Sequence, residues 1–258
     1  MNGDFPMNVS KKAAVIIPAR YSSTRFPGKA LVSIGSKPVI QWIYDAAKKS
    51  VNTDNVIVAT DEQKIYDTVR GFGGNVMMTS SKLRTGSDRC AEIARQISAD
   101  IIVNLQADEI LQGPEMIDEL IQMMQEDETV KMASLKSEIT SPEELMDRNV
   151  VKVVTDNPGY ALYFSRSPIP HIRDRIDNAL FPQRTFYKHL GIYAYRRDFM
   201  LLFSSLPTTR LEELEKLEQL RALECGYRIK MKETLHKSFR IDTPEDLKKL
   251  QEGQIHGQ

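Results

Sequence analysis

An α/β fold on a mainly parallel sheet follows from three features of this 258-residue sequence. Short apolar runs, such as NVIVAT at 55–60 and DIIVNL at 100–105, alternate with segments of helical period. The centres of the runs, 56–59 and 101–103, are continuously apolar, as strands covered on both faces require. Arg20, Asp61, Gln106 and Asp108 stand where such runs stop. In open α/β sheets the ligand crevice lies at those carboxyl ends.

The elements follow in order. Residues 13–18 read as a buried strand and 37–49 as a helix; 55–60 is a strand. A helix over 63–70 is closed by Gly71, Gly73 and Gly74. Residues 75–79 and 100–105 are strands around a helix at 88–96, and 115–125 is a further helix. The second half changes character. Residues 150–155, 160–164 and 190–195 read as strands, the first two joined by the turn Asp156-Asn-Pro-Gly159. Residues 171–188 read as a long loop or flap. Residues 210–225 read as one helix capped by Gly226. Its leucines at 211, 214, 217, 220 and 223 sweep about 240° around the axis, which suits a helix buried on two sides. A strand near 228–233 follows. Thr243 and Pro244 then open a last helix, so Asp242 falls just before a helix start. Residues 1–11 and the tail from 252 read as frayed ends.

Composition excludes several classes. Formal net charge is +0, which argues against a nonspecific nucleic-acid binder. Cys90 and Cys225 suit a reducing compartment and two buried thiols, so a cytoplasmic location is expected. No run approaches a membrane span, and the N-terminus has no signal-peptide core.

Against this neutral background the loop after the first strand, ARYSSTRFPGK, carries Arg20, Arg25 and Lys29 and no carboxylate. It lacks both the dinucleotide and Walker A glycine patterns. A strand end, a Ser-Ser-Thr run, three cations and a glycine still make a phosphate cradle; charge alone reads equally as a solvated loop. Asp108 and Glu109 follow an apolar strand, where carboxylates can hold Mg²⁺, although an acidic turn before Pro114 explains them as simply. Asp242 reads as a second such carboxylate or as a plain capping residue. His189 in KHLGIY reads by itself as a structural histidine, and Glu218-Gln219 in LEQLR as an exposed helix face.

Taken in order, IPARYSSTRFPGK, VATD, FGGNVMMTS, TGSDR, VNLQADE, ALYFSRSPIP, KHLGIYAY, LEKLEQLRALE and IDTPEDL resemble the 3-deoxy-D-manno-octulosonate (Kdo) cytidylyltransferase family, over residues 13–250. The resemblance implies a Rossmann-like nucleotidyltransferase core with a smaller mixed-sheet part that mediates homodimerisation. It implies one domain over 12–252, its nucleotide-binding core mainly 12–135 with 228–252, its sugar-acid and dimerisation part about 136–227. The implied reaction is CTP plus Kdo giving CMP-Kdo and pyrophosphate, with Mg²⁺. Arg20, Arg25 and Lys29 match triphosphate-binding positions, and Asp108 and Asp242 match magnesium ligands. Thr85 and Gly86 match the cytosine-reading loop. Arg89, Gln106, His189, Tyr193, Glu218 and Gln219 match sugar-acid positions, with Arg89 expected to pair with the acid's carboxylate. The family's usual Gln-Gly-Asp-Glu-Pro is here Gln106-Ala107-Asp108-Glu109-Ile110, and its Gly-Thr-Glu-Arg is Gly86-Ser-Asp-Arg89. These departures leave open a sister enzyme for a variant acid, such as an amino-substituted octulosonate, a nonulosonate or a phosphonate. A regulator without catalysis is disfavoured by the intact cations and carboxylates.

Overall fold

The structure, a computed structural model, describes residues 12–21, 26–173, 185–241 and 243–251. Strand β1 (Ala13–Ala19) is buried at every position. Its odd-numbered residues pack into the apolar layer on one side of the sheet, while Ala14 and Ile16 pack into the other. A single 3₁₀ turn (Lys29–Leu31) leads to a small ribbon of β2 (Ser33–Ile34) and β3 (Lys37–Pro38). Helix α1 (Val39–Lys48) follows, burying Val39, Ile40, Ile43, Tyr44 and Ala47 along one stripe. Then come β4 (Asn55–Thr60), α2 (Gln63–Gly71), β5 (Val76–Met78), α3 (Gly86–Ala94) and β6 (Ile101–Leu105). Strand β1 pairs in parallel with β4 and β6, and β4 in parallel with β5. This is the parallel sheet expected from the alternation of runs and helices.

After β7 (Glu109–Leu111) and α4 (Glu115–Glu126) the chain adds β8 (Met132–Glu138), α5 (Pro142–Met146), β9 (Lys152–Thr155) and β10 (Ala161–Ser165). The ten-residue β11 (Tyr187–Arg196) is antiparallel to β6 on one edge and to β8 on the other. It therefore joins the mixed second half to the parallel core in one nine-stranded sheet. Tyr187 and Lys188, expected in a loop, begin this strand. Helices α6 (Arg197–Ser205), α7 (Arg210–Glu215) and α8 (Leu220–Glu224) come next. Strand β12 (Lys230–Glu233) pairs with β8, β13 (Ser238–Arg240) pairs with β7, and α9 (Pro244–Gln251) ends the described chain. Helices α1 and α4 cover one face of the sheet; α3 and α6 cover the other.

The single helix expected over 210–225 is two helices. Lys216 takes the left-handed conformation (φ 54°, ψ 46°) and ends α7. The break explains the leucine pattern differently. Leu217 and Leu220 are buried after the turn, while Leu214 before it is 69% exposed. It also presents Glu218 and Gln219 as a loop at the carboxyl end of the sheet rather than as a helix face.

Candidate active site

Two adjoining clefts open at the strand ends. The smaller, about 160 Å³, is lined by Pro18, Arg20, Lys29, Ala30, Gly86, Gln106, Ala107 and Asp108. The larger, about 400 Å³, runs over Tyr193, His189, Arg166, Lys188, Glu218 and Gln219. Gly86, Gln106 and Asp108 line both.

In the smaller cleft, β1 delivers Arg20 at its carboxyl end. Gly28, at φ 71°, brings the chain back so that its N–H donates to the Tyr21 carbonyl at 2.8 Å. A Cβ there would sit 3.1 Å from the Tyr21 ring, so glycine meets both the conformational and the steric demand. Lys29 then reaches back, its Nζ donating to Asp108 Oδ2 at 2.5 Å and to the Ile241 carbonyl at 3.2 Å. Arg20 keeps Nη2 buried with no hydrogen-bond partner among the described residues. Burial, and next the neighbouring charge of Arg89, lower its pKa. A half-buried cation with an unmet buried donor is a seat for an anion. Arg25 and Asp242 lie outside the described residues. Ile241, before Asp242, donates its N–H to the Asp108 carbonyl at 2.9 Å.

Thr85 caps α3, accepting from the Asp88 N–H while the Asp88 carboxylate accepts from Thr85 N–H. The shortened acid of Gly-Ser-Asp-Arg thus completes a capping box. Gly86 is the next residue, and a Cβ on it would lie 3.1 Å from both Gln106 Oε1 and Pro18 Cγ. The junction of the clefts is as narrow as a hydrogen atom at this position allows.

In the larger cleft, Glu218 Oε2 accepts from Ser87 Oγ at 2.6 Å, tying the α7–α8 loop to the first turn of α3. Burial raises the Glu218 pKa, opposed by the Ser87 hydrogen bond and the Arg221 charge. Gln219 is buried beside it, and Gln106 is held by the Asn104 side chain at 2.8 Å. The rings of His189 and Tyr193 lie 5.2 Å apart.

Arg89 departs from expectation. It is 1% exposed and lines neither cleft. Its guanidinium donates to Asp61 Oδ2 and Thr79 Oγ1, both at 2.6 Å, and to the Ser80 carbonyl. Its two terminal nitrogens are engaged inside the protein, while Nε is buried with no partner among the described residues. Arg89→Ala should therefore act first on stability, costing about 3–5 kcal/mol as a broken buried pair; urea melts check this. Ile110 also departs: it packs with Phe239 on the other side of the β7–β13 ribbon, while Ala107 lines the smaller cleft. The resemblance assigned no role to Arg166, Lys188 or Arg240, all of which line the larger cleft. Arg166 follows strand β10, so the strand-end rule that picked out Arg20 and Asp108 would have found it too.

A covered α/β sheet with Lys29 facing Asp108 at its strand ends suits a nucleotidyltransferase, and the similarity to known proteins places the chain in that class. The sequence profile described as cytidylyltransferase matches residues 14–233, and the chain belongs to that family. A relative from Geobacter sulfurreducens, named 3-deoxy-manno-octulosonate cytidylyltransferase, is 52% identical over 92% of this chain and 97% of its own. One of the same name from Geobacter metallireducens is 52% identical over 93% and 97%. A solved CMP:2-keto-3-deoxy-manno-octonic acid synthetase complexed with CTP superposes with a TM-score of 0.86 at 40% identity, over 93% of this chain and 97% of that one. No helix among the described residues is long and apolar enough to cross a membrane.

Proposed function

We propose that the protein transfers the cytidylyl group of CTP to Kdo, giving CMP-Kdo and pyrophosphate for lipopolysaccharide synthesis. One observation carries this reading: an anion seat and a polar, hydroxyl-binding cleft meet at Gly86, Gln106 and Asp108. The triphosphate lies against Arg20 and Lys29, with Arg25 as a third cation. The sugar acid lies against His189, Tyr193, Gln219 and Glu218. Its anomeric hydroxyl oxygen attacks the α-phosphorus as its proton passes to solvent, the bond from that phosphorus to the oxygen bridging to the β-phosphate breaks, and pyrophosphate leaves toward the cations. Positioning and charge neutralisation dominate such transfers. Gln106 and Gly86 hold the two reactants in contact, and Lys29 offsets charge on the leaving group.

Asp108 suits Mg²⁺, which takes one or two protein carboxylates plus substrate phosphates: it is a hard oxygen donor at the junction of the clefts. Asp108 and Asp242 would hold the ion, which supplies positive charge to the phosphate oxygens and acidifies the attacking hydroxyl. For the acid's carboxylate we assign Arg166 in place of Arg89. The enzyme works as a homodimer through its second half, where Leu162 on β10 and Leu202 on α6 are 62% and 41% exposed; light scattering at micromolar concentration reads this. We place the reaction in the cytoplasm, where CTP is held.

Pyrophosphate release from each of the four nucleoside triphosphates, with and without Kdo, tests the function. Release is expected with CTP and Kdo together. Comparable turnover with ATP or GTP would overturn the assignment, and turnover with CTP and only a variant acid would move it to a sister enzyme.

A further inference from the structure

Ser134 sits on β8, fully buried, opposite a bulge in β11 where the register jumps between Leu190 and Tyr193. Three groups crowd its hydroxyl. The Leu190 carbonyl lies at 3.1 Å, the Ile192 carbonyl at 2.8 Å and His189 Nε2 at 2.9 Å. A serine hydroxyl has one proton and can accept as well. Both carbonyls are acceptors only, so the proton must point at one of them. Were it given to His189, two carbonyl oxygens would face the hydroxyl oxygen at close range with no proton between them. The hydroxyl therefore accepts from His189, and Nε2 carries the imidazole proton.

We infer that Ser134 locks His189 as the Nε2–H tautomer and thereby makes Nδ1 an obligate hydrogen-bond acceptor for a hydroxyl of the sugar acid. Ser134 touches no substrate; it is a positioning residue acting through His189. The imidazole lines the larger cleft, and its Nδ1 meets no donor among the described residues. The edge of the ring packs on Phe164 at 5.0 Å and its other side lies against Tyr193, so rotation is blocked. Burial, and next the Arg240 charge, push its pKa down to about 3, which keeps the ring neutral at working pH. A neutral ring with a fixed proton selects a donor at one point of the acid and disfavours an analogue lacking that hydroxyl. The inference rests on the reading of the cleft as a polyhydroxy-acid site.

The experiment has a substrate-free arm and a kinetic arm. In ¹⁵N-histidine-labelled protein, with His189→Gln used to assign the resonance, the His189 ring should show a protonated Nε2 and a bare Nδ1. A protonated Nδ1 in the wild type would overturn the inference, whatever the substrate proves to be. Ser134→Ala should give a mixture of tautomers. It should also raise the KM for Kdo about tenfold, the scale of one hydrogen bond, with the KM for CTP within about twofold. Ser134→Thr keeps the hydroxyl and should restore both. An unchanged Kdo KM in Ser134→Ala, or an equal rise for CTP, would also overturn it. If Kdo is not turned over at all, the proposed function fails. Titrating labelled wild type with other sugar acids then decides the inference: Nδ1 must shift with an acid that is turned over, and silence toward all of them overturns it.

Discussion

Asp108→Asn lowers the rate of pyrophosphate release by about two to three orders of magnitude, the scale expected when one preorganised charge is removed from a transition state. The substitution is nearly isosteric, so it tests charge and not packing. Asp108 is the one carboxylate among the described residues that lines both clefts, and Lys29 is bound to it at 2.5 Å. That pairing holds the lysine at the junction of the two clefts until a triphosphate competes for it. Asparagine keeps an oxygen for Lys29 but loses the charge that would hold Mg²⁺. The Mg²⁺ concentration for half-maximal rate should therefore rise along with the loss of rate. Circular dichroism should be unchanged, because asparagine fills the same volume and keeps an oxygen for Lys29. A variant with near-normal rate and Mg²⁺ dependence would remove Asp108 from the metal assignment.

The sequence carries the core and the position of Arg20, Gln106 and Asp108 beyond strand ends, for identifiable reasons. Strands β1, β4 and β6 are buried on both faces, so their residues are apolar apart from Asn55, Thr60 and Asn104 near strand ends, and the runs are unmistakable. Strand β8, with Lys136, Ser137 and Glu138 half-buried at its end, has no such run and was not anticipated. The break in 210–225 depends on one residue, Lys216, in a left-handed conformation that no composition rule assigns to lysine. Asp108 was legible because it stands three residues past the end of an apolar strand. For Arg89 the motif gives identity and spacing, not direction. Whether its fork meets a substrate or Asp61 is settled by the packing of α3 against β4, which the motif does not contain. Ser134 escaped notice for a similar reason: its partners sit 55 to 58 residues away.

Arg166→Ala should raise the KM for Kdo about 10- to 100-fold and leave the KM for CTP within about twofold, because a charge-assisted hydrogen bond is worth more than a neutral one. The side chain is already aimed. Its Nε donates to the Glu215 carbonyl at 2.8 Å and its Nη1 to the Arg148 carbonyl at 2.9 Å, which fixes the guanidinium plane at the wall of the larger cleft. The Glu215 carboxylate turns its oxygens to Ser165 Oγ and to the Arg166 backbone N–H and makes no hydrogen bond to the guanidinium. Lys188, in the same cleft, is paired with Glu144. Arg166, held by carbonyls, and Lys216 are thus the cations of that cleft with no acid partner among the described residues, and of the two the planar fork of Arg166 suits a ligand carboxylate. Arg166→Lys should recover only part of the loss, because an ammonium cannot make both carbonyl contacts and still present a planar fork. Arg20→Ala is the mirror experiment: it should weaken CTP most and leave Kdo nearly unchanged. Were Arg166→Ala to weaken CTP instead, or Arg89→Ala to raise the Kdo KM in a fully stable protein, the carboxylate would have to be returned to Arg89 and the larger cleft reassigned.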